Sequence, residues 1–365
     1  MPVSPDLAAG LAQATVDLYA EAERLVLAKV ARSLQAGIDS PTWAEERLLA
    51  VQLLQAQLAR LLAALEGDTA VAVGEAITQA YNRGGAAAVV DLGAALGTPL
   101  EDVAGTIRKV PGQGAVQVLV RETVARVTGT HLRILRTASD AYRQVVAETT
   151  AQVLLGTQTR RQAAQTALDR LAARGVTGFV DSRGRGWDLT SYVEMAVRAT
   201  AGRATVQAHT DRLQAYGQDL VIVSDAPQEC VRCRPWEGKV LSLSGDTSGA
   251  VSPDGKVKVA GTMAQAVAAG LLHPGCRHST SLYLPGVTKP YTDTEDPQGD
   301  ADRQRLRLLE RQLRAAKREQ AVAMTDDAAA KATARVRDRQ AAIRDHVRTS
   351  SAKRQSAREQ ITSAR

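Results

Sequence analysis

The sequence reads CVRC at residues 230–233 and, after a gap of 39 residues, HPGCRH at residues 273–278. These two short motifs contain all three cysteines and two of the five histidines of the chain. A C-x2-C pair presents two thiolates from one tight turn, and the second motif offers further sulfur and nitrogen atoms, so together they can complete a tetrahedral zinc site. The candidate metal ligands are Cys230, Cys233, His273, Cys276 and His278.

Two other states of this cluster fit the same residues. The gap is longer than in ordinary zinc ribbons, so the two motifs must meet through tertiary folding, and the cysteines could also remain reduced without a metal. A disulfide is the third alternative, although an odd number of cysteines does not suit a pure disulfide framework. The pattern favours a structural zinc ion and leaves open whether Cys276 or His278 is the fourth ligand.

The residues around the cluster, 219–284, predict a small α+β domain. Residues 219–224 and 239–244 have the composition and alternation of strands, and CVRC falls on the loop between them. Residues 262–270 predict a short helix that leads into HPGCRH. A bound metal would therefore fix the end of this helix to the loop between the strands.

Composition predicts a mainly α-helical protein of two or three domains. The chain has 365 residues and 44% hydrophobic residues, but only one Phe, three Trp and seven Tyr. Ala, Leu and Val supply most of the packing, which favours closely packed helices. We expect a helical region over residues 1–174, an α+β domain with the Cys/His cluster over residues 175–290, and a linker with a basic helical tail over residues 291–365.

Capping and glycine signals give the expected helix boundaries. The Ser4-Pro5 pair predicts a helix start, and Gly37, Gly67 and Gly84-Gly85 predict helix ends or breaks. A single long helix is expected over about residues 115–155, and its apolar stripe includes His131, which we interpret as a core or interface histidine without chemistry. Ser191 and Glu194 fit a capping box at the start of a later helix, which Gly217 ends.

Several sequence blocks resemble the phage minor capsid protein 2 family of tailed-phage head proteins. They are DSRGRGW at 181–187, SYVEMAVR at 191–198, CRPWEG at 233–238, LSG at 243–245, GLLHPGCRH at 270–278 and RQRLRLLER at 303–311. The resemblance covers about a third of the chain and implies a structural minor head protein near the portal or the inner capsid surface. It implies no catalytic residues. Its expected protein partners are the portal or major capsid protein, and several copies are expected in each particle.

The basic charge of the chain is concentrated in its last part. Residues 300–365 contain 17 Lys and Arg against 9 Asp and Glu, a balance of +8, whereas the whole chain carries +7. Leu306, Leu309, Leu313 and Ala316 predict one face of a helix that continues to about Met324. Beyond this point the residues favour a helix by propensity but show no convincing apolar stripe.

This tail has two interpretations. It binds double-stranded DNA through counterion release, or it is a solvated and partly frayed helix whose charges only face water. A chain that ends at Asp296 is expected to lose salt-sensitive DNA binding while it keeps its fold and its metal.

An enzyme is the alternative class of function. No histidine begins the H-x-E pattern that zinc deaminases require, and no nucleophile elbow or Gly-rich phosphate loop occurs. A metal-dependent, nuclease-like DNA-processing enzyme carried in the phage head is not excluded, with His278, Asp225 and Glu229 beside the metal. The sequence shows no signal-peptide pattern and no run of 18 apolar residues, which predicts synthesis in a reducing cytosol and no membrane partner. The family resemblance implies that this is the cytoplasm of a bacterial host and that the protein is assembled into the virion.

Overall fold

The structure is a computed structural model that describes residues 8, 10–97, 113–174, 179–180, 186–187, 189–245, 258–273, 276, 278–289 and 295–361. Most of these residues are helical, which confirms the predicted mainly α class. The helices are α1 Gln13–Gln35, α2 Trp43–Leu49, α3 Val51–Leu96, α4 Gln113–Thr128, α5 His131–Leu154, α6 Arg160–Arg174, α7 Leu189–Ala215, α8 Met263–Ala268, α9 Pro297–Ala321 and α10 Asp326–Thr349.

Two small sheets accompany the helices. The strands are β1 Phe179–Val180, β2 Gly186–Trp187, β3 Leu220–Val223, β4 Val240–Ser242, β5 Val259–Thr262 and β6 Thr280–Leu282. β1 and β2 form an antiparallel ribbon, and the other four strands form a sheet in the order β5-β4-β3-β6. In that sheet β3 is antiparallel to β4 and to β6, whereas β4 and β5 are parallel. The two strands predicted on either side of CVRC are therefore confirmed as β3 and β4.

The described residues group into two compact units. Unit 1 draws on residues 1–14, 70–124 and 194–301, and unit 2 on residues 15–69, 125–193 and 302–365. This grouping follows spatial neighbourhood. The division of the chain after residues 174 and 290 follows composition and stays a prediction.

The core of unit 1 lies between the four-stranded sheet and two helices. Leu92 of α3 and Leu213 of α7 pack with Val221, Val223, Leu241 and Leu282 from the sheet. Cys233 is a fully buried member of the same cluster, together with Ala266 of α8 and Leu271. Apolar packing therefore already brings one candidate metal ligand into the core.

The larger core of unit 2 is helical. It joins apolar residues of α1, α2, α5 and α6 with the first turns of α3, and Val322 belongs to it. Trp43 is buried there and donates from its indole Nε1 to the backbone oxygen of Leu34, 2.9 Å away. A second cluster joins Leu306, Leu309 and Leu313 of α9 to Ile343 of α10. The predicted apolar stripe of α9 is thus confirmed.

The predicted breaks at Gly67 and Gly84-Gly85 are wrong, because α3 continues through all three glycines. A Cβ at Gly84 would lie 2.1 Å from the backbone oxygen of Thr205, and one at Gly85 would lie 2.2 Å from the guanidinium carbon of Arg212. Gly84 therefore permits the close approach of the α7 backbone to α3, whereas at Gly85 only the flexible end of the Arg212 side chain would have to move. Gly67 has no such contact, and packing outweighs its helix cost of about 1 kcal/mol.

Two other helix boundaries also differ from the sequence expectation. The helix expected over residues 115–155 is divided into α4 and α5, and at the break Thr130 donates its hydroxyl to the oxygen of Val127 at 2.7 Å. The start predicted at Ser191 is wrong, because α7 already begins at Leu189 and Ser191 accepts a hydrogen bond from Arg314 instead. The predicted helix ends at Gly37 and Gly217 are confirmed, since both residues have positive φ after the last helical turn. The Ser4-Pro5 start lies outside the described residues.

The last part of the chain is more ordered than a frayed tail. Thr325 caps α10 by accepting from the Ala328 backbone amide, and Ile343 is fully buried, so α10 has the apolar contacts that its sequence did not make obvious. Arg318 of α9 is buried and donates to the backbone oxygen of Ala172. Removal of everything after Asp296 would therefore take part of the unit 2 core with it, contrary to the expectation that the fold survives.

Within the described part of the chain, no single helix is long and apolar enough to cross a membrane. In the same part of the chain, only α2 and α3 taken together have the length and apolar composition of a membrane span, and these two helices are bent by 43° where they meet.

Candidate metal centre

A tight turn after β3 presents the first two candidate ligands. The backbone amides of Cys233 and Arg234 both donate to the oxygen of Cys230, at 3.0 and 3.1 Å. A short 3-10 helix, Arg234–Trp236, follows directly and leads to β4. The C-x2-C pair therefore lies on one rigid turn between two central strands, as the sequence predicts.

The second motif follows α8. Thr262 and Gln265 form a capping box at the start of α8, and Gly270 and Leu272 take positive φ as the chain leaves it. The backbone amide of Cys276 then donates to the oxygen of His273 at 2.9 Å, which forms a second turn. From here the chain enters β6, which pairs with β3, so the sheet brings the two motifs together.

All five predicted ligands meet in this place. Cys230 Sγ lies 2.9 Å from His273 Nε2, Cys233 Sγ lies 3.5 Å from Cys276 Sγ, and Cys276 Sγ lies 3.4 Å from His278 Nδ1. The donor atoms form two groups, each within 4.8 Å, and Cys233 belongs to both: Cys230, Cys233 and His273 make one, and Cys233, Cys276 and His278 make the other. No disulfide joins the three cysteines.

The cluster stabilises one thiolate. The hydrogen bond with Cys233 and the neighbouring His278 lower the pKa of Cys276, although burial opposes them. The same hydrogen bond and burial raise the pKa of Cys233. Burial would lower the pKa of His278, but the contacts with Cys276 and Glu237 outweigh this effect, so the pKa is raised. Without a metal, the cluster therefore favours a Cys276 thiolate beside the His278 imidazole.

Glu237 is a member of the site that no sequence pattern singled out. Its Oε1 lies 2.6 Å from His278 Nε2 and also accepts the backbone amide of Ala226 at 3.0 Å. The exposed fractions of the His278 and Glu237 side chains are only 2% and 1%. Burial raises the pKa of Glu237, and its hydrogen bonds oppose this shift. Glu237 lies within the family-like block CRPWEG, but 41 residues separate it from His278, so only the fold reveals the contact.

Asp225 and Glu229, the carboxylates that the nuclease alternative places beside the metal, have other neighbours in the structure. Glu229 accepts from Arg234 at 2.9 Å and from the backbone amide of Asp296 at 3.0 Å. Asp225 lies near enough to Glu237 to raise the pKa of that residue. The carboxylate that reaches His278 is therefore Glu237 and not Glu229.

Two further histidines are buried in the molecule. His131 Nε2 lies 2.7 Å from the Tyr19 hydroxyl in unit 2, which confirms its interpretation as a core histidine. In unit 1, His209 Nε2 lies 3.0 Å from Asp91 Oδ2, and Asp91 also accepts the backbone amide of Leu282 at 3.5 Å. This second carboxylate–histidine pair joins α7, α3 and β6.

The fold and site define a mainly helical protein with a small α+β region that contains a partly buried Cys/His cluster. The chain belongs to the family described as Phage minor capsid protein 2, whose model matches residues 3–348. The family indicates a minor capsid protein of a bacteriophage and, with it, a place in the virion. No curated protein and no solved structure matches the chain.

Proposed function

We propose that this minor capsid protein is a structural component of the phage head, attached in several copies to the portal or the inner capsid surface and in contact with packaged double-stranded DNA. The observation that carries the proposal is the family match over residues 3–348. The function of the Cys/His cluster is then to stabilise unit 1 by holding a zinc ion between the β3–β4 loop and the end of α8.

The chemistry of the donor set supports a structural zinc. Sulfur and imidazole nitrogen are the ligands that zinc prefers, and structural sites are closed by four protein ligands. Cys233 and His278 are buried, and five donors are offered to an ion that needs four. Purified, reduced protein should contain about one zinc per chain by elemental analysis. Undamaged protein without zinc would refute this part of the proposal.

Burial also supports a structural protein over a nuclease. A hydrolytic histidine must reach a phosphodiester, but His278 and its partner Glu237 are almost fully covered by protein. The protein should therefore fail to cut DNA with Mg²⁺, Mn²⁺ or Zn²⁺. Cleavage that disappears in a His278→Ala variant would favour the nuclease alternative.

Exposed arginines on α10 support the DNA contact. Arg337, Arg339 and Arg344 are exposed and form no ion pair with another residue that the structure describes. Other cations of the same helix are engaged, since Lys331 pairs with Asp327 and Arg348 pairs with Asp345. Unpaired arginines can neutralise phosphates without first breaking an ion pair, so they are the groups we expect to contact DNA.

Two variants of equal charge test this contact. Replacement of Arg337, Arg339 and Arg344 by Gln should flatten the slope of log affinity against log salt by about 3, because each phosphate contact contributes about 0.9. The matched control replaces Lys331, Arg335 and Arg348, which form ion pairs with Asp327, Glu319 and Asp345. An equal decrease of the slope in both variants would indicate that only the overall positive charge of the helix attracts DNA. No decrease in either variant would indicate that the helix is an assembly surface.

The position in the head has its own test. A cryo-EM reconstruction of the purified particle should show the protein at fixed stoichiometry at the portal or on the inner capsid surface. Density on the outer surface alone would contradict the proposed position without affecting the zinc site.

A further inference from the structure

We propose that Cys233 and Cys276 form a disulfide once the virion has left the reducing cytosol of the host, and that this bond then joins the two cysteine motifs in place of a metal. The inference goes beyond the proposed zinc site, because the cross-link needs only two thiols and an oxidant. It rests on the place in the virion that the family indicates. Disulfides form and persist in the oxidising surroundings that a released virion meets.

The sulfur atoms of Cys233 and Cys276 are already in contact. They lie 3.5 Å apart, about 1.5 Å more than an S–S bond of about 2.05 Å. Cys233 belongs to the turn after β3, and Cys276 lies shortly before β6. Because β3 and β6 are paired in the sheet, the fold holds the two sulfurs together without a bond between them. A small movement of the two side chains is therefore sufficient to join them.

Cys230 is the third thiol and a less suitable partner. Its sulfur lies 2.9 Å from Nε2 of His273. Cys276 shares a group of close donor atoms with Cys233 and His278, and the group that contains Cys230 does not include Cys276. A disulfide between Cys230 and Cys233 would join two residues of one turn and leave the second motif unconnected. The link that the geometry favours is therefore the one that joins both motifs.

The exposure of the two thiols gives the order of the steps. Cys276 is partly exposed and Cys233 is fully buried, so a small oxidant such as hydrogen peroxide reaches Cys276 first. The Cys276 sulfur attacks the O–O bond, which breaks to give a sulfenic acid and one water. The Cys233 sulfur then displaces the sulfenic hydroxyl as a second water, and the S–S bond forms. Two thiols thus lose two electrons in total, and one peroxide is reduced to two waters.

This disulfide would close a long loop. Cys233 and Cys276 are 43 residues apart, and β4, β5 and α8 lie between them. A cross-link of this kind restricts the unfolded chain and so stabilises the folded region. Sulfur atoms in a disulfide are no longer available as thiolate ligands, so the bond excludes a metal from the same two cysteines. The metal and the disulfide are therefore alternative links between the same two loops.

Peptide mapping of the unaltered full chain tests the pairing. Trypsin cleaves after Arg232, between the two cysteines of the C-x2-C pair, and after Lys258, before Cys276. The three cysteines therefore fall on three different peptides, and mass spectrometry distinguishes every possible link. When the protein is freed of metal with EDTA, treated with hydrogen peroxide and alkylated, the link between Cys233 and Cys276 should account for most of the disulfide. A dominant link to Cys230, or no disulfide at all, would overturn the proposal.

The same chain unfolded in urea is the matched control. The loops that Cys276 closes with Cys230 and with Cys233 differ by only three residues, so the unfolded chain should form the two links in about equal amounts. In the folded protein the Cys233 link should exceed the Cys230 link by at least about tenfold, because the fold places the Cys233 sulfur against Cys276. Equal amounts in the folded protein would show that this contact does not direct the pairing, and the proposal would fail.

Protein from two sources tests the change in the virion. Alkylation during lysis should find Cys233 and Cys276 as free thiols in infected cells and as a disulfide in released particles. The same redox state in both sources would refute the change. Zinc analysis of these samples separates this inference from the proposed metal site. Reduced protein without zinc refutes the metal site and leaves the disulfide, whereas released particles that keep zinc and both thiols refute the disulfide and leave the metal site.

Discussion

Two buried carboxylate–histidine pairs in unit 1 have nearly the same chemistry and different surroundings. Asp91 holds His209 at 3.0 Å, and Glu237 holds His278 at 2.6 Å. The Nδ1 atom of His209 is buried and has no hydrogen-bond partner within the described structure, whereas Nδ1 of His278 faces the sulfur of Cys276. The second ring nitrogen of His209 therefore lies in the protein interior, whereas that of His278 faces a group of potential metal ligands.

A buried acid–histidine pair is therefore not by itself a functional site. The Asp91 pair connects α3 and α7 with the backbone of β6, and it stabilises the packing that supports the cluster. The Glu237 pair has the same type of hydrogen bond, but the second ring nitrogen of His278 faces the sulfur of Cys276. The two pairs therefore differ in what the second ring nitrogen of the histidine faces.

The largest expected effect comes from the cluster itself. Cys233→Ser should abolish zinc binding and unfold the region around residues 219–284, since Cys233 belongs to both donor groups and to the unit 1 core. Hydrogen exchange should show increased exchange there while unit 2 stays protected. In matched melting experiments, EDTA should lower the Tm of the unaltered protein and not that of the variant. An equal EDTA effect on both proteins would contradict a metal bound by Cys233.

A smaller effect is expected at the other pair. Asp91→Asn should lower the free energy of unfolding by about 2 kcal/mol, because His209 and the Leu282 amide lose a buried charged acceptor. Zinc stoichiometry should stay unchanged in chelator titrations. If Asp91→Asn releases metal as readily as Glu237→Ala, the two pairs do not differ in function and the contrast between them fails.

The buried histidine of unit 2 has a hydroxyl partner instead of a carboxylate. His131 is paired with the hydroxyl of Tyr19, and Thr69 also donates to that oxygen at 3.2 Å. Tyr19→Phe should cost about 1 kcal/mol of unfolding free energy, the usual value for a neutral hydrogen bond. Urea unfolding measures this change. A cost as large as that of Asp91→Asn would show that the charge of the partner is unimportant.

The smallest effect is a dependence on pH. The pKa of Asp91 lies below its ordinary value of 3.8: burial would raise it, and the hydrogen bond and charge of His209 are among the interactions that lower it. A lowered folded pKa means that the ionised group stabilises the protein above the unfolded pKa, and that this contribution is lost as the pH falls through the folded pKa. The stability difference between the unaltered protein and Asp91→Asn should therefore decrease below about pH 4. A difference that grows in acid would contradict the sign of this shift.

Local sequence patterns were sufficient for several features of the fold and the site. The spacing of Cys230 and Cys233 requires one turn, and the alternation around them predicts the strands that became β3 and β4. Short apolar periodicity likewise predicts α8 and the stripe of α9. These features depend on residues a few positions apart, so the local sequence is enough to predict them.

Close approach between helices was not predictable in the same way. Gly84 and Gly85 were expected to break a helix, because glycine is a poor helix former when only neighbours in the sequence are considered. In the structure they make room for Thr205 and Arg212, more than 100 residues later in the chain. The buried contacts of α10 escaped prediction for a related reason, since Ile343 is one isolated apolar residue whose partners lie on α9.

The sequence by itself determined which residues are candidate metal ligands, where the basic charge is concentrated and which family the chain resembles, because each depends on residue identity and spacing. Only the tertiary structure decided that Glu237 supports His278, that Asp91 holds His209, and that the last helices belong to a packed core. The reason is physical: a hydrogen bond between side chains 41 or 118 residues apart depends on how strands and helices pack, and no local pattern specifies that distance.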